Sequence, residues 1–207
     1  MDAVASPVVL QRALPAEEAA RADFYALLAR LFHGAPDAAL LASLADAPAL
    51  SGASALDAAW ESLRQASRAM DAEAAREEYE TLFIGVGKAQ VSIYAGYYAG
   101  APAADHPRIR LQRDLAELGL AHKPGLPEPE DHIAALLDVM RVLAAGGAGR
   151  APAPLAMQRR FFDAHVAPAA RGFFAAVQAA GQANYYRRVA QFAAAFLELE
   201  AQSFELD

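Results

Sequence analysis

Residues 130–145 read Glu-Asp-His-Ile-Ala-Ala-Leu-Leu-Asp-Val-Met-Arg-Val-Leu-Ala-Ala, and their pattern decides the fold. Ile133, Leu136, Leu137, Met140 and Leu143 recur at three- and four-residue steps, which gathers them on one face of a helix. The spacing predicts an amphipathic α-helix from Glu130 to Ala145. The same period runs through the rest of the chain, and alternating strand patterns are nearly absent. The fold class that follows is all-α, with about nine to ten helices around a long central loop.

Working outward, the pattern predicts helices over Glu17–His33, Asp37–Ala45, a segment starting at Ser54 or Asp57, and Ala72–Phe83. Further helices are predicted over Arg108–Leu118, Leu155–Val166, Pro168–Ala180 and Asn184–Phe204. Glu17 and Glu18 suit the dipole of the first helix, Gly34 and Pro36 stop it, and Pro168 suits a first-turn position. Residues 1–14 read as a flexible tail and residues 15–207 as one helical domain, with a hinge in the Gly- and Pro-rich stretch 146–154.

Composition agrees. Hydrophobic residues make up 56% of the 207 residues, and alanine is roughly a quarter of the chain, which favours helix. Nothing approaches the ~20 uninterrupted apolar residues of a membrane span. Asp2 precedes the first basic residue, Arg12, the reverse of a secretory signal, so the expectation is a cytoplasmic protein. The absence of cysteine excludes disulfides, thiolate metal sites and thiol catalysis. A net charge of −7 disfavours nucleic acid and anionic membranes and suits a basic partner.

Two loops interrupt the helices. Residues 84–107 combine Gly85, Gly87, Gly96, Gly100, Pro102 and Pro107 with Ile93, Tyr94, Tyr97 and Tyr98; a long loop this rich in aromatics reads as functional. The second, 121–130, leads into Glu128, Glu130, Asp131 and His132, the densest cluster of titratable groups. Acidic residues there suit a helix N-terminus, whereas a charged His132 would oppose the dipole, so a neutral imidazole is expected. Gly85-Val86-Gly87-Lys88 lacks the full phosphate-loop spacing and a preceding strand. The five histidines show no metalloprotease spacing, and no nucleophile elbow is present. No cofactor, metal or catalytic residue is therefore expected.

Three stretches in order resemble the TorD/DmsD/NarJ family of maturation chaperones for molybdenum-containing redox enzymes. Glu78-Tyr79-Glu80-Thr81-Leu82-Phe83-Ile84-Gly85, followed by Ser92-Ile93-Tyr94-Ala95-Gly96-Tyr97-Tyr98, is similar to the family's Tyr-x-x-Leu-Phe-x-Gly run and the Pro-Tyr-Glu-Ser-x-Tyr loop after it. Glu128-Pro129-Glu130-Asp131-His132-Ile133 is similar to the Glu-Pro-x-Asp-His helix start. Phe161, His165, Pro168, Phe173 and Phe174 through Tyr185 and Tyr186 resemble the His-Leu-x-Pro-Trp segment and the aromatic helices beyond it. The chain departs at Ala95-Gly96, where the family carries a carboxylate, and at Ala169, where it carries Trp.

The resemblance implies a TorD-like helical bundle that binds the twin-arginine signal peptide of a molybdopterin oxidoreductase precursor. It would hold the precursor until its cofactor is inserted, before export. Asp131 and Glu128 would meet the guanidinium groups, His132 would orient them or accept a hydrogen bond, and Tyr94, Tyr97 and Phe83 would line an apolar groove. Both a monomer and a homodimer exchanging helices across residues 146–154 are compatible with this reading. Two alternatives stand beside it: a small-molecule enzyme with a carboxylate–imidazole site at Asp131 and His132, and an architectural adaptor in which Tyr94, Tyr97 and His132 are buried filler.

Overall fold

A computed structural model describes residues 14–85, 89–100, 107–120, 129–147 and 149–206; the expected N-terminal tail lies outside the described residues. Nine α-helices occur among the described residues: α1 Ala16–His33, α2 Ala38–Asp46, α3 Ala55–Ala69, α4 Ala72–Tyr79, α5 Pro107–Glu117, α6 Ile133–Ala145, α7 Leu155–Phe161, α8 Ala167–Ala179 and α9 Tyr185–Leu206. The all-α expectation holds. No described helix is long and apolar enough to cross a membrane.

Local chemistry sets the helix starts. Asp37 caps α2 and Asp71 caps α4 by accepting from backbone N–H groups three residues on. Ser54 and Asp57 form a reciprocal capping box at α3, which resolves the choice between them: Ser54 is the cap and Asp57 the third helical residue. α1 packs along α6 at the centre, α9 lies against α3 and α8, and α2 covers α3. Their shared core is strongly aromatic, with Phe32, Phe83, Phe173, Phe174 and Tyr186 in mutual ring contact.

Two predicted helices contain π-helical turns. Ala72–Phe83 is α-helical only to Tyr79 and continues as a π turn over Glu80–Ile84 that ends at Gly85, φ +65°. The wider turn brings both Leu82 and Phe83 inward and leaves Ile84 exposed. Leu155–Ala179 is one path rather than two helices, because a π turn over Phe162–Val166 joins α7 to α8. Pro168 has no N–H to offer the Ala164 carbonyl four residues back; Arg110 Nη2 donates to that carbonyl instead, at 2.6 Å.

Described residues within the segment expected to be a hinge make several bonds. Gly147 and Arg150 pair through their backbones, Ala153 N–H donates to Leu143 O at 2.8 Å, and the Arg150 guanidinium donates to Leu118 O and Gly119 O beyond the end of α5. Gly146, at φ +73°, is required there, since a Cβ would fall 2.3 Å from Arg150 O.

Two adjacent residues of α4 tie the ends of other helices together. The Glu78 carboxylate accepts from the backbone N–H groups of Asn184, Tyr185 and Tyr186 at 2.8, 3.0 and 2.8 Å, capping α9 from another helix. Tyr79 OH donates to Phe32 O and His33 O, and Tyr186 OH donates to Leu31 O, which serves the last carbonyls of α1. A second clamp joins α1 to α9, where Arg21 grips Glu200 with two hydrogen bonds of 2.7 and 2.8 Å and Tyr25 OH adds a third. Charge-assisted hydrogen bonds contribute ~1.5–3 kcal/mol. Glu78→Ala should therefore lower the melting temperature by roughly 4–8 °C. Glu80→Ala, which loses only an exposed pair with Arg76, should shift it by less than about 3 °C. Thermal unfolding of the two variants side by side tests the contrast.

Candidate functional site

The aromatic loop begins as an extended segment. Val91, Ile93 and Ala95 are buried and alternate with Ser92 and Tyr94, the two-residue period of an extended chain. It zips onto the start of α6: Ile133 N–H donates to Ile93 O at 3.0 Å, Ala95 N–H donates to Asp131 O at 2.7 Å, and Tyr94 and His132 form an antiparallel bridge. A 3-10 turn over Ala95–Tyr97 then reverses the chain. Tyr98 is drawn inward, its OH donating to Ser92 O at 2.8 Å and its ring resting on Gly172, where a Cβ would meet it at 2.9 Å. Tyr94, 39% exposed, and Tyr97, 76% exposed, are held outward.

This pairing corrects the predicted start of α6. The spacing predicts a helix from Glu130, but helical geometry begins at Ile133, because residues 131–133 are committed to the loop. His132 is the N-cap, its Nδ1 accepting the Ala134 N–H at 3.1 Å. A ring nitrogen that accepts carries no proton, and the hydrogen-bond network assigns that tautomer. The ring is buried, with its centroid 5.7 Å from Tyr94 and 6.4 Å from His33.

Asp131 is half-buried, and its Oδ2 accepts the Gly96 N–H at 3.3 Å. The departure to glycine at this position has a local geometric counterpart, since a Cβ on residue 96 would lie 2.9 Å from that oxygen. Glu130 turns away to α5, where it pairs with Arg108 and accepts from Gln112.

Of the site residues expected from the sequence, Tyr94, Tyr97, Asp131 and His132 come together. Phe83 does not join them: it is 5% exposed and packs among Phe32, Tyr79, Phe173 and Tyr186. Glu128 lies outside the described residues.

Behind Gly96 and Asp131 is a cavity of about 180 Å³, walled also by Arg110, Leu136, His165 and Pro168. All three sequence stretches singled out above meet on it. His165 on its far wall belongs to a buried pair, its Nε2 2.7 Å from Asp114 Oδ2. Burial pushes the His165 imidazole below its ordinary value, outweighing the pull of Asp114, and Arg110 and Arg113 push the same way. Burial alone would raise the Asp114 carboxyl, but the hydrogen bond from His165, with Arg113, holds it below the usual carboxylate range. A neutral His165 donates its N–H to an ionised Asp114. Sequence reasoning missed Asp114, although a carboxylate beside Leu111 and Leu115 on the apolar stripe of a predicted helix is a visible signal. Among the described residues no cluster of metal-ligating side chains occurs.

The family model described as nitrate reductase delta subunit matches residues 50–175, more than half of the chain and including every part of the cavity wall named above. The chain belongs to that family, which comprises chaperones of molybdoenzyme maturation. Comparison with curated proteins finds no match.

The buried pair makes stability depend on pH with a definite sign. His165 has a depressed folded pKa, so the unfolded chain binds the proton more readily below the ordinary value of about 6.5. Stability should decline as pH falls from about 6.5 towards 5. Replacing His165→Gln removes that titration while keeping an N–H donor, so its stability should fall less steeply over the same window. Urea unfolding at stepped pH measures both slopes, and parallel slopes would refute the assignment.

Proposed function

We propose that the chain is a cytoplasmic chaperone that binds the twin-arginine signal peptide of a molybdopterin-containing oxidoreductase precursor. It holds the precursor while the cofactor is inserted, ahead of export. The observation that carries this reading is the Asp131 carboxylate, set at the cavity edge against the loop that turns Tyr94 and Tyr97 outward and engaged, among the described residues, by one long backbone hydrogen bond. A carboxylate with spare acceptor capacity suits a guanidinium, which binds it through short, charge-assisted hydrogen bonds. Exposed tyrosines suit both the stems and the planes of arginine side chains and the apolar stretch that follows them. The net charge of −7 favours approach of a cationic segment.

The reading separates from a merely structural role for Asp131. Its one side-chain bond is to an exposed turn, so Asp131→Asn should leave the melting temperature nearly unchanged. It should weaken binding of a peptide carrying an Arg-Arg pair and an apolar stretch by about tenfold to a hundredfold, the worth of one charged hydrogen bond. Wild-type affinity should also fall with added salt. Calorimetric titration of both proteins decides the point: undiminished affinity in Asp131→Asn removes this residue from the site, and absence of binding to any such peptide rejects the function.

A further inference from the structure

α5 and the continuous α7–α8 path run antiparallel, and their facing residues form a single seam. On α5 and the turn just past it the seam follows Pro107, Arg110, Leu111, Asp114 and Leu118, positions that keep to one helix face. On the other side it follows Met157, Phe161, Ala164, His165 and Pro168. Polar bridges cross it in register: Arg110 to Ala164 O at 2.6 Å, His165 to Asp114 at 2.7 Å, and Arg160 to Glu117 at 2.9 Å. The bridges hold the helices together without filling the space between them. One void is the cavity at Asp131. A second, of about 140 Å³, lies on the other side of the Asp114–His165 pair.

The second cavity has a different chemistry. Its apolar surface comes from Leu118, Met157 and the buried ring of Phe161, and that ring also contacts His165, with centroids 4.9 Å apart, in the partition between the two voids. Arg160 and Glu117, both well exposed, stand paired on its solvent side. An exposed ion pair of this kind is worth ~1 kcal/mol or less and yields readily. Met157 is 43% exposed, an adaptable thioether at the opening. With Asp114, Glu117 and Arg160 completing its lining, the cavity is about the size of one that holds a benzene-sized group.

We propose that this second cavity is an anchor site for one large apolar side chain, phenylalanine or leucine in size, of the same polypeptide whose guanidinium reaches Asp131. The proposal rests on the client-binding reading above and adds a spacing to it. The two voids are bounded by α5 residues seven apart, about 10 Å along the helix axis. An extended peptide covers that distance in about three residues. The client's apolar anchor therefore lies about three residues from the arginine at Asp131.

The cavity can be tested without any client. With methyl-labelled methionine, titration of indole into the full chain should shift the Met157 methyl resonance saturably, leaving those of Met70 and Met140 in place. Leu118→Phe, which fills the void, should abolish the shift while keeping the native melting transition; Met157→Leu identifies the resonance. An unmoved Met157 signal at low-millimolar indole overturns the site. The client role is tested with two Arg-Arg peptides that differ only in Phe or Ala three residues from the second arginine. The Phe peptide should bind the wild type roughly tenfold more tightly or better, from burial of one ring, and Leu118→Phe should erase that advantage. Indole binding combined with equal affinity for the two peptides overturns the assignment to the client. Failure of both peptides to bind rejects the Asp131 reading and this client role with it, while the indole titration still decides whether the cavity is a site.

Discussion

The fold depends on the last turn of α4, where two neighbouring side chains answer the unpaired ends of two other helices. Burying a helix terminus leaves backbone groups with no water to bond, and each costs ~1–3 kcal/mol if unmet. Glu78 serves three N–H groups where α9 begins, and Tyr79 serves two carbonyls where α1 ends. Because the two residues are adjacent, the three helices can meet in essentially one arrangement. The π turn follows directly, and Leu82 O within it accepts the Val91 N–H at 2.9 Å, the first bond of the extended segment that carries Tyr94. Among the described residues, Leu82, the extended segment 91–95 and Asp131 are thus joined by successive backbone bonds.

That succession explains why an exposed loop presents a defined surface. Residues 91–95 are held by strand-like pairing to a helix start and by alternating burial, so Tyr94 and Tyr97 project from a fixed base. His132 contributes by capping α6 with Nδ1. Its place beside Tyr94 and Asp131 gives it a positioning part in the local geometry: it sets the helix start from which Asp131 is suspended. The enzyme reading needs Asp131 and His132 to act on a ligand together, whereas His132 Nδ1 is already engaged by the Ala134 N–H. The adaptor reading accounts for the burial of His132, but not for two tyrosines turned to solvent.

The helices were legible because burial imposes a period on the sequence, as Leu136, Leu137 and Met140 show. Their boundaries were less so where distant segments intervene. Glu130 and Asp131 look like a first helical turn, but Ile93 and Ala95 compete for their backbone and displace the start to Ile133. The π turns were illegible for a similar reason: nothing local to Glu80–Ile84 announces the extra residue, which the burial of both Leu82 and Phe83 accommodates. The resemblance places Phe83 at the site, whereas packing draws it into the core. Asp114 and His165 are 51 residues apart, and only the fold brings their side chains together.

The seam between α5 and α7–α8 shows what such a pair does to packing. Removing a carboxylate and an imidazole from water is costly, and apolar residues of the same volume would often hold two helices as firmly or more so. Apolar residues would also interdigitate and close the space, whereas directed bridges fix separation and register while leaving gaps on either side. Arg110 reinforces this by spending one of its N–H groups on a carbonyl that Pro168 leaves bare, so the bond that compensates a proline also sets one wall of the cavity. A helix fastened by a few polar bridges, beside cavities that stay open, is weakly supported as a core element and well suited to receive side chains from outside. The polar residues of this seam are therefore best understood as spacers: they keep room in the protein that a better-packed core would have removed.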